Sequence, residues 1–289
     1  MVNHNTMKEW IRSFALQNTN NYETEIVNNP DFFVQKLVSS YDKILELKDK
    51  EKGKSALVVA HGPSLSEIDK QEYSSFVNIT CNLYSLLKTK NPVTEEMSSF
   101  YDKDYQPDYW VGANSYEELI EPIKECHKNG IPTLVAIPKK RELEKVMENP
   151  EIKEELSLPW LWEIEQFQRM LALENKQRLC YSRCNTVTNH MIAWAIWLGC
   201  SEIHVAGFDL SYANAMKKYG TTHAGYVHDG VLNENLNSTT KNLMAFEDQR
   251  ERNQIVNDLN YLAEICKTKE VTLRNLSHEI NNLPEFLSK

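Results

Sequence analysis

The chain has 289 residues, enough for one large domain, or one domain with an added subdomain, and for a sizeable buried core. Apolar residues make up 41% and charged residues 25%, which excludes a disordered composition. A formal charge of −9 argues against a nucleic-acid footprint, which needs a clustered basic surface. It leaves small substrates open, because the charge inside a cleft need not follow the total.

The first ten residues, MVNHNTMKEW, show no basic stretch followed by an apolar one, so no secretion signal is expected and the chain reads as cytoplasmic. Residues 1–50 read as polar and helical. Phe32, Phe33, Leu37, Tyr41, Ile44 and Leu47 recur at three-to-four spacing, the pattern of an amphipathic helix. Lys48 to Lys54 is a charge-rich linker. The expected organisation is therefore an N-terminal helical extension over 1–54 and a main domain over 55–289.

The character changes at Ala56-Leu57-Val58-Val59-Ala60, a continuous apolar run of the kind that forms a strand buried on both faces of a parallel sheet. Further strands are predicted at Phe76–Cys81, Tyr109–Val111, Thr133–Ile137, Glu202–Ala206 and Val271–Leu276. A helix is predicted over Tyr116–His127, stopping at Asn129-Gly130, and a stronger one over Asn189–Leu198, stopping at Gly199. Strands alternating with helices predict an α/β fold, a Rossmann-like, mainly parallel sheet with helices on both faces. Arg141–Lys176 reads as helical, interrupted at Pro159-Trp160-Leu161-Trp162. Ser211–Asn242 is rich in Gly, Asn, Thr and His and lacks apolar periodicity; a loop of that length is read as an active-site lid. The longest apolar run, Met191–Cys200, is too short to cross a bilayer. The six cysteines are scattered, and Cys180 with Cys184 has no second pair, so buried free thiols are expected rather than a zinc site.

Four constellations are placed to carry chemistry. The first is the strand-to-helix turn His61-Gly62-Pro63-Ser64, where Ser64 and Glu67 have capping-box spacing. Its reading is open between a phosphate cradle at a helix start and a plain capped turn. The second is Asn82, after Cys81, with Asn114-Ser115, after Gly112-Ala113; each Asn follows a strand, where its donor and acceptor suit a base or ribose edge as well as an ordinary turn. The third is Asn185-Thr186, cap-type residues that open the helix before Leu198 and form a second anion-ready terminus. The fourth is Gly207-Phe208-Asp209 with Tyr212, followed in the lid by His223 and His228, side chains that titrate near neutral pH. Their spacing is not that of a compact metal motif, and no metal is expected. Trp194 and Trp197 are expected in the core, and His190 and His204 in structural roles.

These motifs resemble a bacterial and archaeal superfamily that groups motility-associated glycosyltransferases of the Maf type, 6-hydroxymethylpterin diphosphokinases and Campylobacter-type sialyltransferases. The resemblance runs over roughly residues 55 to 280. It is carried by Gly62-Pro63-Ser64-Leu65, Pro107-Asp108, Leu198-Gly199 with Ile203, Gly207 and Asp209, and Asn275-Leu276-Ser277. Cys81-Asn82 and Asn114-Ser115 resemble the sialyltransferase branch in particular. That resemblance implies a sialyltransferase-like α/β fold with a flexible lid. It implies that Gly62, Pro63, Ser64, Asn82 and Asn114 contact the cytidine monophosphate of the donor; His61, Ser115, Asn185, Thr186, Gly207 and Asp209 are expected to complete the nucleotide site, with Asp209 organising the strand end and lid. It also implies inverting transfer from a CMP-linked nonulosonic acid to a glycan or protein acceptor, with no metal cofactor.

The chain departs from that pattern in places. His61 stands where those enzymes have Asn, Arg183 is one residue out of register with their Arg, and near Ala245-Phe246, where their catalytic His lies, this chain has none. His223 or His228 takes that role in the expectation, with Tyr212 donating to the leaving phosphate. Two alternatives follow from the same motifs: a magnesium-dependent pterin-type diphosphokinase, against which the turn Gly112-Ala113-Asn114-Ser115 lacks an acidic cluster, and a non-catalytic nucleotide-binding protein. Neither the acceptor nor an assembly of several copies of the chain is specified by the sequence.

Overall fold

The computed structural model describes residues 42, 45–82, 84–90, 97–112, 116–136, 160–161, 186–210, 217–218 and 250–277. In chain order these give β1 (Ser55–Val59), β2 (Val77–Cys81), β3 (Lys88–Lys90), β4 (Met97–Ser99), β5 (Tyr109–Gly112), α1 (Tyr116–Lys128), β6 (Thr133–Ala136), β7 (Trp160–Leu161), α2 (Val187–Trp197), β8 (Glu202–Ala206), α3 (Arg250–Thr268) and β9 (Thr272–Asn275). Seven strands form one sheet in the order β7-β6-β5-β2-β1-β8-β9. Every neighbouring pair in it is parallel. The α/β expectation of a parallel sheet is met.

The strand order has one reversal. From β1 the chain steps outward through β2, β5, β6 and β7, then returns to place β8 and β9 on the other side of β1. Val58 therefore sits between Ile79 of β2 and Val205 of β8. The loops leaving β1 and β8 diverge at the carboxyl edge, the position where open α/β sheets hold ligands.

Alternation along the strands sorts the two faces. Ala56, Val58, Val77, Ile79, Val111, Ile203, Val205 and Leu273 face α2 and α3 and form the main core with them. Leu57, Val59 and Trp110 point the other way and are fully buried there. Ile123 and Cys126 of α1 are buried but lie outside the core cluster formed with α2 and α3, which puts α1 on the second face. Helices thus cover both faces, as right-handed crossovers require.

Helix α2 is buried on all sides from Thr188 to Trp197. Its polar first turn is covered because α3 packs against α2, and the Asn189 side-chain amide donates to the Ile255 carbonyl at 3.2 Å. Trp194 and Trp197 are core residues, as expected. His190 is buried in α2, and His204 is buried with its Nε2 donating to Glu202 Oε1 at 2.7 Å.

Three further differences have local causes. The stretch read as a linker is bonded into the domain: the amides of Asp49, Glu51 and Gly53 donate to the carbonyls of Trp197, Leu198 and Gly199 at 3.0, 2.8 and 3.0 Å. These are the acceptors that a helix end leaves over. The interruption within Arg141–Lys176 contains β7, an edge strand beside β6. The hairpin β3–β4 was not anticipated, since KTK and MSS show no apolar alternation; buried Leu87 and Phe100 flank it and bond through Phe100 N to Leu87 O at 2.8 Å. Asp108 of the Pro-Asp motif lies at the amino edge, where its carboxylate accepts from the Asn78 amide at 2.7 Å. It joins β2 to β5 rather than lining the carboxyl edge.

Cys81, Cys126, Cys200 and Cys266 are free and buried, as expected of them, while Cys180 and Cys184 lie outside the described residues. Among the described residues, no helix is long and apolar enough to cross a membrane. The N-terminal helix over 32–47 lies for the most part outside the described residues, as does most of the 211–242 lid.

One buried acid in α3 makes the fold sensitive to pH. Asp258 is fully buried, and neither carboxylate oxygen meets a partner among the described residues. Burial pushes its pKa up to about 7. The native state then holds a proton that the unfolded chain releases, so stability falls as pH rises from about 4 to about 7. Asp258→Asn is expected to be more stable than the parent by about 2–4 kcal/mol at pH 8, with the gap closing at pH 5. Urea denaturation at the two pH values measures this; equal gaps at both would refute the assignment.

Candidate functional site

The carboxyl ends of β1 and β8 are joined by backbone contact. Ala60 N–H donates to Ala206 O at 2.9 Å, and Gly62 N–H donates to Gly207 O at 2.7 Å. The fit is close enough to dictate glycine at both positions. A Cβ on Gly62 would lie 2.5 Å from both Asp209 Cγ and Gly207 O, and one on Gly207 would lie 2.5 Å from Ala60 O. Gly62 has an ordinary φ of −70°, so space and not torsion demands the glycine there. Gly207, at φ +67°, needs it on both counts.

Ser64 differs from its expectation. Pro63–Glu67 forms a short 3-10 turn whose N-cap is Gly62, with no side-chain capping bond. Ser64 turns instead toward Asp209. Its amide donates to Asp209 Oδ2 at 3.0 Å, and its hydroxyl donates to Oδ1. The capping box with Glu67 does not form, because the buried Asp209 carboxylate needs donors and claims both the amide and the hydroxyl of Ser64. Both oxygens of Asp209 are thereby engaged within the protein, and so are the amide and hydroxyl of Ser64. These two residues hold loops together; the donors expected to cradle a phosphate serve Asp209.

Ser277, just beyond β9, completes this cluster. Its Oγ lies 2.9 Å from Ser64 Oγ and accepts from the Phe208 amide at 3.1 Å. Because Ser64 spends its hydroxyl proton on Asp209, the proton between the two serines belongs to Ser277. Burial raises the Asp209 pKa, and the bonds from Ser64 oppose the rise. The motif Asn275-Leu276-Ser277 was legible in the sequence, but its partners, one 213 residues away, were not.

The β1 loop is also tied to β2 and, through it, to β5. His61 Nε2 donates to the carbonyl of Cys81 at 2.9 Å, which pins the ring across the ends of β1 and β2. Asn82 follows in a left-handed conformation, φ 44°, which Asn tolerates better than most residues. Its amide donates to Val111 O at 3.3 Å, and its carbonyl accepts from Trp110 Nε1 at 2.8 Å. With both backbone groups fixed, the side chain has a set origin at the sheet edge. Its Oδ1 is buried and without a hydrogen-bond partner among the described residues. Trp110, which the sequence reading did not single out, is thus what holds Asn82.

Helix α2 leads into a strand parallel to the others, so its first turn lies at the same carboxyl edge. Thr186 caps it: the hydroxyl accepts from the Thr188 amide at 3.4 Å. Thr186 is therefore a cap residue, as one of its two readings had it. Within the stretch expected to form a lid, Lys218 Nζ lies 2.9 Å from Glu67 of the 63–67 turn. Tyr212, His223, His228, Asn114, Ser115 and Asn185 lie outside the described residues. Among the described residues, no group of three or more His, Cys, Asp or Glu is arranged to hold a metal ion.

No protein-family model matches the chain, and no curated protein matches it either. Solved structures do. The sialyltransferase CstII from Campylobacter jejuni, in complex with cytidine-5'-monophosphate, aligns over 82% of this chain and 88% of its own, at 17% identity and a TM-score of 0.44. The same enzyme with CMP-3FNeuAc gives 17% identity, the same coverages and a TM-score of 0.45. An α-2,3-sialyltransferase from Campylobacter jejuni in apo form covers 82% of this chain and 80% of its own, at 13% identity and a TM-score of 0.46. At these values the likeness carries no residue-level correspondence.

The close approach of the two loops gives a direct test. Gly62→Ala needs no change of backbone torsion and only inserts a methyl group against Asp209 and Gly207. It is expected to cost about 1–3 kcal/mol, as overpacking does. Chemical denaturation reads the loss, and a variant as stable as the parent would show that the loops are not in contact.

Proposed function

We propose that this chain is a glycosyltransferase that binds a nucleotide-activated sugar at the carboxyl edge of the sheet, beside the β1–β8 divergence. The donor class favoured is a CMP-linked nonulosonic acid. The observation that carries the reading is Asn82: a polar side chain set at a strand end by bonds to Val111 and Trp110, with its buried amide oxygen without a partner among the described residues, beside a pinned His61. A neutral amide that both donates and accepts is suited to the edge of a base or ribose. The ordered motifs Gly62-Pro63-Ser64, Cys81-Asn82, Gly207-Phe208-Asp209 and Asn275-Leu276-Ser277 support the same donor class through their resemblance to sialyltransferases.

In this reading Asn82 and Asn114, with Ser115, meet the nucleoside, and Asn185 and Thr186 lie at the helix start nearby. The His61–Ser64 turn and Gly207–Asp209 form the wall on which the donor rests. His228 or His223 takes the proton of the acceptor hydroxyl. The acceptor oxygen bonds to the anomeric carbon as the bond from that carbon to the phosphate oxygen breaks, so the sugar is inverted in one displacement. Tyr212 donates to the departing phosphate, and the protonated histidine meets its charge. The leaving group is a monophosphate ester met by these donors, so the reaction needs no divalent cation. A glycan or a protein side chain supplies the hydroxyl, and the reaction is placed in the cytoplasm.

Thermal shift against CMP, CDP, UDP, GDP and ATP tests the donor. CMP is expected to raise the melting temperature most, with about 2.7 kcal/mol of stabilisation at a hundred times its Kd. Asn82→Ala is expected to weaken CMP binding about tenfold or more. His223→Ala combined with His228→Ala is expected to leave CMP binding intact and to abolish transfer. Transfer that survives the double change sinks the assignment of the base. A preference for ATP, with magnesium-dependent release of AMP on a pterin alcohol, sinks the donor class. Tight CMP binding without turnover of any activated sugar leaves a binding protein instead.

A further inference from the structure

The loop from Gly207 to Leu210 is held in an unfavourable shape. Gly207 has φ +67°, and Leu210 has φ +49°, a left-handed conformation that a leucine rarely adopts. Such residues persist where their surroundings over-determine them. Between them, Phe208 and Asp209 are both tied down. The Phe208 amide donates to Ser277 Oγ at 3.1 Å, and Asp209 accepts from Ser64. Ser277 donates in turn to Ser64 Oγ at 2.9 Å. One hydroxyl thus touches both loops of the carboxyl-edge divergence and is buried between them.

Ser277 is itself fixed. Its amide donates to Asn275 Oδ1 at 3.1 Å, and the Leu276 amide donates to Val205 O at 2.9 Å, continuing the β8–β9 pairing past the last strand residue. The position of the hydroxyl is therefore set by β8 and β9, not by the loops it joins. Removing it leaves the Phe208 amide without its acceptor and Ser64 without its second hydrogen bond. The strained Gly207–Leu210 loop then has a reason to relax toward water.

We propose that Ser277 is a positioning residue for the nucleotide site: it holds the β1 and β8 loops in the one arrangement that presents His61 and the Gly207–Asp209 backbone to the donor. This rests on the nucleotide-sugar reading. Ser277 touches no reacting atom and acts through Ser64 and Phe208.

The test compares Ser277→Ala with Ser277→Thr, which keeps the hydroxyl, and with Ile265→Val, a trimming of buried α3 that lowers stability away from the site. Calorimetric titration with CMP is paired with amide exchange at Phe208. Ser277→Ala is expected to raise the Kd for CMP about tenfold and to speed Phe208 exchange, Ser277→Thr to restore most of both, and Ile265→Val to change neither beyond its global stability. If Ser277→Ala does not fold, Ser277→Cys keeps the volume with a weaker donor and serves the same comparison. An unchanged Kd in a destabilised Ser277→Ala protein, or an equal rise in Ile265→Val, overturns the positioning role. If the parent protein binds no nucleotide, the functional reading falls and the positioning role falls with it; the Phe208 exchange then reports only on the lock between the loops.

Discussion

The carboxyl edge of this protein is organised by one buried carboxylate and the donors it must have. Asp209 sits almost without solvent between the ends of β1, β8 and β9. An ionised group in such a place is costly unless it is hydrogen-bonded. Ser64 supplies two donors, and Ser277 steadies Ser64. The remaining features follow from that arrangement. The loops must come within backbone contact, so Gly62 and Gly207 have no room for a side chain. The β8 loop must turn back through left-handed positions to bring its carboxylate inward. The divergence of the two strands, which would otherwise be an open crevice, is closed at its base by these contacts.

The sequence was most informative where physical demand is local. Ala56–Ala60 is apolar without interruption because both of its faces are covered, and the strand could be placed from that alone. Cys81-Asn82 could be seen as a strand end followed by a residue tolerant of a left-handed turn. The meaning of Ser64 could not be read in the same way. A serine three residues before a glutamate satisfies the pattern of a helix start, and nothing nearby reveals that an acceptor 145 residues away will claim it. The all-round burial of α2 was hidden for a similar reason. Thr188, Asn189 and His190 look like a solvent-facing turn until α3 is laid over them. Tyr212, His223 and His228, on which the chemical step is proposed to depend, were legible only as residue types in a polar loop.

The two edges of the sheet show how similar polar residues serve different ends. At the amino edge, Asp108 receives the Asn78 amide, and Glu202 accepts from His204 and from Ser55. The Asp108–Asn78 and Glu202–Ser55 bonds join neighbouring strands. At the carboxyl edge, Ser64, Asp209 and Ser277 do the same, but Asn82 is anchored through its backbone and keeps a buried side-chain oxygen without a hydrogen-bond partner among the described residues. Residue type alone does not separate a strand clamp from a binding group. What separates them is whether the side chain's own hydrogen-bonding capacity has been consumed within the sheet.

The strand reversal also constrains how the molecule is made. β1 finds β2 a short distance along the chain, but its other neighbour, β8, comes much later; the Ser55–Glu202 bond closes a span of 147 residues. Contacts of such separation are slow to form, because the loop entropy is lost before the contact rewards it. During synthesis, one edge of the central strand waits uncovered while most of the domain emerges, and such an edge is an invitation to wrong pairing. The contact between Ser64 and Ser277, spanning 213 residues, must close later still. The candidate site is thus among the last parts of the chain to acquire its shape, and a nascent chain that has not reached β9 would hold a nearly complete sheet with an unfinished carboxyl edge.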